Sequence, residues 1–206
     1  MLTKNICVFG DSIAYGGWSR DGGWVDRLRG ALQNRTLDSG FQEYYFLYNL
    51  SIPGNTSEDV RHRFSAEIEA REPHVIVFAV GINDASSRGT RDTPRIPQEQ
   101  FEENIAELLR AAKAKGRADA VAAIGLTRVD ESRTTPFETT YFFNERIAAY
   151  DAALKKICKE SGVGYLDVSR LLAPEDMEDG LHPDDAGHEK LFRAAYEFLQ
   201  PFLIEK

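Results

Sequence analysis

Four short segments of this 206-residue chain carry side chains suited to acyl transfer. Gly10-Asp11-Ser12 offers a hydroxyl, and Ser51-Ile52-Pro53-Gly54-Asn55-Thr56 a glycine amide. Gly81-Ile82-Asn83-Asp84 offers a carboxamide, and Asp179-Gly180-Leu181-His182-Pro183 a carboxylate beside an imidazole. A serine hydroxyl is a weak nucleophile near neutrality and needs an adjacent base to take its proton. Of four histidines, His62 and His188 fall in segments of helical spacing and His74 opens an apolar run; His182 sits in a glycine- and proline-bounded loop. Asp179 and His182, at i and i+3 of one tight turn, can share a hydrogen bond. That bond would fix the imidazole tautomer and stabilise the imidazolium, leaving the other ring nitrogen to Ser12. The oxyanion of a tetrahedral intermediate needs fixed donors, and the candidates are the Ser12 and Gly54 backbone amides and the Asn83 side-chain amide. By comparison with other oxyanion holes, the Asn83 donor is worth about 3 kcal/mol of barrier. Gly54, having no Cβ, allows close backbone approach.

These segments meet only if strands deliver them to one place. Short, continuous apolar runs at 5–9, 44–49, 75–80, 120–126 and 165–168 read as buried strands. Between them, apolar residues recur at three and four positions: Trp24, Val25, Leu28 and Leu32; Val60, Phe64 and Ile68; Phe101, Ile105, Leu108 and Leu109; Ile147, Tyr150, Leu154 and Ile157; Leu191, Phe192, Ala195 and Leu199. Gly116 and Gly162, each preceded by lysines, read as helix stops. Strands alternating with helices imply a parallel sheet covered on both faces. The expectation is an α/β three-layer sandwich of the flavodoxin-like kind, one domain over residues 1–206. Open α/β sheets bind ligands at the carboxyl ends of their strands, where all four segments fall. The longest irregular segments, 85–97 and 127–140, are rich in Arg, Thr, Ser and Pro; loops of this length are commonly functional or mobile.

Composition narrows the function classes. Lys+Arg 25 against Asp+Glu 33 gives a net charge of −8, a surface that repels phosphate backbones and anionic headgroups and argues against nucleic-acid binding. Cys7 and Cys158 stand apart from any Cys/His cluster, which excludes a zinc finger, a CxxC motif and a disulfide framework. The longest apolar run, 75–80, is too short to span a bilayer, and the first residues show no signal-peptide pattern. The expectation is a cytoplasmic protein with reduced thiols, acting on a small-molecule ester without cofactor or metal. Oligomeric state is not legible in the sequence.

The same motifs carry a family resemblance. Gly10-Asp11-Ser12-Ile13, Gly54, Gly81-x-Asn83-Asp84 and Asp179-x-x-His182 stand in the order of the blocks of the SGNH (GDSL) hydrolases, and the likeness runs from the first strand to the start of the last helix. The resemblance implies Ser12 as nucleophile, Gly54 and Asn83 as oxyanion donors, His182 as base and Asp179 as its orienting partner. It also implies a sheet ordered 2-1-3-4-5. Ile13 replaces the family's Leu, a volume-conserving change. Asn49 is followed by Leu50 and Ser51 where many members place Gly two residues after the Asn, and Gly54 is preferred over Ser51 as the second-block donor.

Substrate identity stays open among short-chain esters, thioesters, lysophospholipids and O-acetylated sugars. A different class, a non-catalytic or phosphoacceptor signalling module on the same fold, rests on Asp11 and Asp84 but lacks a lysine after the last strand. Those two carboxylates read better as acceptors for backbone amides than as catalytic groups. Trp18, Trp24, Tyr141, Phe142 and Phe143 are candidates to line an acyl pocket, but core packing or helix burial explains most of them equally well, and they are left out of the site. Arg88, Arg91, Arg95, Arg128 and Arg133 in the long loops suit an anionic substrate or, more plainly, solubility.

Overall fold

The chain alternates strands and helices from its first residues, as the apolar runs require. In the computed structural model, which describes residues 1–114 and 120–203, the elements are β1 (Leu2–Gly10), α1 (Ser12–Tyr15), α2 (Trp24–Asp38), β2 (Glu43–Asn49), α3 (Ser57–Arg71), β3 (Val75–Ala79), α4 (Ile82–Ala85) and β4 (Ser87–Arg88). They continue with α5 (Gln98–Ala114), β5 (Ala120–Ile124), α6 (Glu131–Thr134), β6 (Thr140–Tyr141), α7 (Asn144–Ser161), β7 (Gly164–Leu166), a 3-10 turn (Pro174–Asp176) and α8 (Asp185–Leu203). The expected stop at Gly116 lies outside the described residues. Gly162 does end α7, its left-handed backbone (φ +60°) turning its N–H back onto the last carbonyls.

Five parallel strands form the main sheet in the order β2-β1-β3-β5-β7. Counted in chain order these five stand 2-1-3-4-5, as the resemblance implies. Helix α2 packs on α8, and α3 packs on α5, which packs on α7, so helices cover the sheet on both sides. The apolar stripes face inward: Trp24, Leu28 and Leu32, Phe101, Ile105 and Leu108, and Tyr150 and Leu154 are all buried against Ile6, Val8, Phe9, Val77 and Phe78 of the central strands. Such continuous burial on both faces explains why the strands read as unbroken apolar runs.

The two long loops differ from the expectation of irregular structure. Ser87–Arg88 pairs antiparallel with Thr140–Tyr141, so the loops close into a two-stranded ribbon. Strands of two residues are too short to show any periodicity, and the residues they join lie far apart in sequence. Among the described residues no helix is long and apolar enough to cross a membrane.

Register brings the strand exits together. Val8 pairs with Asn49, and Gly10 with Ala79, so β1, β2 and β3 end side by side. Their exits carry Ser12, the 51–56 loop and the Gly81–Ala85 turn.

Candidate active site

Ser12 is the first residue of α1, and Asp11 is its cap: the Asp11 side chain accepts the Ile13 N–H at 3.0 Å. The capping role open to any serine at a helix start therefore falls to Asp11, and the Ser12 hydroxyl is left for other work. It lies 2.9 Å from His182 Nε2. Across the same ring, His182 Nδ1 is 2.7 Å from Asp179 Oδ2. An ionised carboxylate only accepts, so Nδ1 carries the proton and Nε2 presents its lone pair to the Ser12 O–H. The other Asp179 oxygen accepts the backbone N–H groups of Leu181 and His182 at 2.9 and 2.8 Å, which explains the tight i, i+3 turn. Burial works against the Asp179 charge, but the hydrogen bonds from the His182 ring and from these two amides outweigh it and hold the carboxyl well below the usual range. The Asp179 carboxylate thus stays charged at neutral pH.

The oxyanion candidates stand on the neighbouring exits. Gly54 is the third residue of a turn closed by Asn55 N–H onto Ile52 O at 3.1 Å, with Pro53 before it and φ +79° at Gly54. Pro followed by a residue of positive φ is the pattern of a type II turn. A Cβ at Gly54 would meet nothing within 4 Å, so in the free protein the turn's backbone, not crowding, calls for glycine. Its carbonyl accepts from Arg95 Nη1 at 2.8 Å. Asn83 Nδ2 donates one hydrogen to Asn55 O at 3.0 Å, and its second N–H has no partner among the described residues. Ser51 is buried, with its hydroxyl unpartnered against the end of β1.

Two aromatic rings adjoin His182. Trp18, at φ +66° and 62% exposed, donates its Nε1–H to Asp179 Oδ2 at 2.6 Å and meets the His182 ring edge-on, centroids 5.6 Å apart. Phe137, carried on the ribbon segment, meets the same imidazole at 6.1 Å. Of the two readings open for Trp18, core burial does not hold, and its omission from the site is corrected: it is an exposed ring that contacts the Asp179–His182 pair. Trp24 and Phe142 are core residues as expected, while Tyr141 and Phe143 stack on each other beneath the Arg91 guanidinium. The loop arginines are also braces. Besides Arg95 on Gly54, Arg133 donates to the Met177 and Glu178 carbonyls and so secures the loop that carries Asp179 and His182.

The other histidines stay out of the site's chemistry. His62 lies in α3 and His188 in α8, where burial lowers the pKa of His188 and its Nδ1 accepts the Trp24 N–H at 3.3 Å. His74 precedes β3 and accepts the Asn5 N–H. Two buried carboxylates lie behind the site. Burial pushes Asp11 up to about 6, against its backbone hydrogen bonds, and Asp84 up to about 7, against hydrogen bonds from Ser57. Both hold backbone amides, as read from the sequence. Cys7 and Cys158 are free and buried, which pushes both thiols up to about 12. No group of three or more His, Cys, Asp or Glu side chains among the described residues is placed to hold a metal ion.

A family model described as the GDSL-like lipase/acylhydrolase family matches residues 8–190. Esterase TesA of Pseudomonas aeruginosa is 27% identical over 201 residues, 97% of this chain and 90% of that protein. The uncharacterized lipoprotein YqeF of Bacillus subtilis is 27% identical over 119 residues, 55% of this chain and 45% of its own. Among solved structures, Axe2, an acetylxylan esterase from Geobacillus stearothermophilus, superposes with a TM-score of 0.74 at 22% identity, covering 98% of this chain and 95% of that one. LAE5, an alpha/beta hydrolase enzyme from the metagenome of Lake Arreo, Spain, gives 0.74 at 20% identity, covering 98% and 97%. At these identities the structural likenesses speak to the fold alone.

Proposed function

This chain belongs to the GDSL-like lipase/acylhydrolase family and is an ester-hydrolysing enzyme, and from that premise we propose that it works through an acyl-enzyme on Ser12, with His182 as base and Asp179 as its orienting partner. The observation that carries this reading is the unbroken chain from Ser12 Oγ through His182 to Asp179, at 2.9 and 2.7 Å. Ser12 Oγ bonds to the ester carbonyl carbon while its proton passes to His182 Nε2. The carbonyl π pair becomes the oxyanion, received by the Ser12 and Gly54 N–H groups and by the free N–H of Asn83. Collapse breaks the bond to the alcohol oxygen, which takes the proton from His182 and leaves. Water then gives a proton to His182, attacks the acyl carbon and releases the carboxylic acid, and the proton returns to Ser12.

The substrate proposed is a small or short-chain acyl ester. Within that class an O-acetylated sugar is favoured by the exposed Trp18 indole. The leaving alcohol takes its proton at His182, beside a ring of the kind on which sugar faces stack. A phosphoacceptor role is disfavoured because Asp84 is fully buried and out of reach of a phosphodonor. The test is a nitrophenyl ester series from acetate to decanoate with Ser12→Ala as the blank. Turnover should be fastest for the shortest chains and absent from the variant; Ser12→Ala hydrolysis at the unsubstituted rate would overturn the assignment.

A further inference from the structure

An oxyanion hole built from two chain segments works only if their separation is fixed. Gly54 lies on the exit of β2 and Asn83 on the exit of β3, and a misplacement of about 1 Å can cost a hundredfold in rate. Two crosslinks join these exits. One is the Asn83 Nδ2 bond to Asn55 O. The other runs through Asp84, whose carboxylate accepts the Ser57 N–H at 3.1 and 3.0 Å on its two oxygens and the Ser57 hydroxyl at 2.5 Å. Ser57 opens α3, three residues after Gly54. Its hydroxyl also accepts from Asn104 Nδ2 of α5 at 3.0 Å, so the Ser57 proton points to Asp84. Asp84 is 0% exposed, and a carboxylate so buried is costly unless its hydrogen bonds are good.

We propose that Asp84 is a positioning residue for the proposed oxyanion hole, its ionised carboxylate tying the start of α3 to α4 and so setting Gly54 against Asn83. This rests on the acyl-enzyme reading above. The charged and titratable groups that face the carboxylate are Asp11 at the end of β1, Arg95 ahead of α5 and the Tyr150 hydroxyl of α7. Arg95 is engaged with the Gly54 carbonyl and lies 3.7 Å from Asp59. Burial and the neighbouring Asp11 raise the Asp84 carboxyl to about 7 against the Ser57 bonds, so the clamp loosens as the pH falls through neutrality.

An amide in place of the carboxylate turns an N–H toward a Ser57 donor and breaks the clamp at every pH. For Asp84→Asn, kcat on nitrophenyl acetate at pH 8 should fall about 30-fold with KM within about twofold. The ratio of parent to variant should shrink below about fivefold at pH 5.5, where the parent's own clamp is protonated. Any pH dependence that parent and variant share cancels from that ratio. A parent-to-variant ratio that is constant with pH, or an unchanged kcat, would overturn the proposal. Should Asp84→Asn fail to give a native circular dichroism spectrum, Ser57→Ala decides: it removes the hydroxyl and keeps the backbone N–H. Its kcat should fall about threefold to tenfold, and its acid limb should move up by about one pH unit as Asp84 loses a hydrogen bond; a parental profile would overturn the proposal. If the parent protein itself turns over no faster than Ser12→Ala, the acyl-enzyme reading has failed and not the clamp alone.

Discussion

Replacing Asp11 by asparagine should make the protein more stable and less active. Asp11 is buried, and its carboxyl stands at about 6 instead of an ordinary 3.8, burial outweighing the Ile13 amide bond. The unfolded chain therefore gives up this proton before the folded chain does. Well below pH 4 both states hold the proton and nothing is lost; the penalty on the native state builds as pH rises from about 4 to 6 and levels off above about 7. The penalty reaches about 3 kcal/mol at pH 8 and is about 1 kcal/mol at pH 4.5. Asparagine keeps an oxygen for the Ile13 N–H, since Asn and Asp cap helices equally well. Urea unfolding of Asp11→Asn should thus show a gain of up to about 3 kcal/mol at pH 8, a gain near 1 kcal/mol at pH 4.5, and an unchanged m-value. On the proposed mechanism catalysis should slow as well, because the Asp11 charge favours a positive charge on His182. A variant less stable than the parent at pH 8 would show instead that the carboxylate's hydrogen bond outweighs its burial.

Three further outcomes follow from named contacts. Trp18→Phe keeps a ring but removes the donor to Asp179; because the Trp18 ring is largely exposed, kcat should fall only about fivefold, with the KM for nitrophenyl acetate unchanged. Steady-state kinetics check this, and an unchanged kcat contradicts it. Gly125→Ala would place a Cβ 2.5 Å from the Tyr165 hydroxyl and 2.8 Å from Asp151 Oδ1, groups bonded to each other at 2.8 Å. Its thermal midpoint should drop by about 5–10 °C, for a cost of about 2–3 kcal/mol; a midpoint within a degree of the parent would contradict the crowding. In native protein neither Cys7 nor Cys158 should react with Ellman's reagent, and both should react in urea.

Much of this was legible because the chemistry follows the strands. The runs at 75–80 and 120–126 are strands at 75–79 and 120–124, and the residues at their exits come to one edge by the parallel register alone. β1 begins at Leu2, three residues before its apolar run, because Leu2, Thr3 and Lys4 pair with Glu43, Tyr44 and Tyr45. Strand β7 is an edge strand of three residues, Gly164–Leu166, cut short where Asp167 turns to accept the Ser169 N–H. Contacts that join distant residues left no local trace. Trp18 and Asp179 lie 161 residues apart, and Trp18 in a glycine-rich loop looks like any buried aromatic. The Ser57 side of the Asp84 clamp is likewise invisible until α3 and α4 are in place. A tryptophan in the short glycine-rich stretch between the Gly10-Asp11-Ser12 motif and the next helical stripe is the signal that would have found the first of these.

The Ser12–His182 hydrogen bond is read most directly by a fluorophosphonate probe. Incubated with folded protein and followed by peptide mass spectrometry, the probe should add one phosphonyl group, on Ser12, rapidly in the parent and at least about a hundredfold more slowly in His182→Ala. A parent protein that stays unlabelled at Ser12, or labelling that is indifferent to the loss of His182, would contradict it.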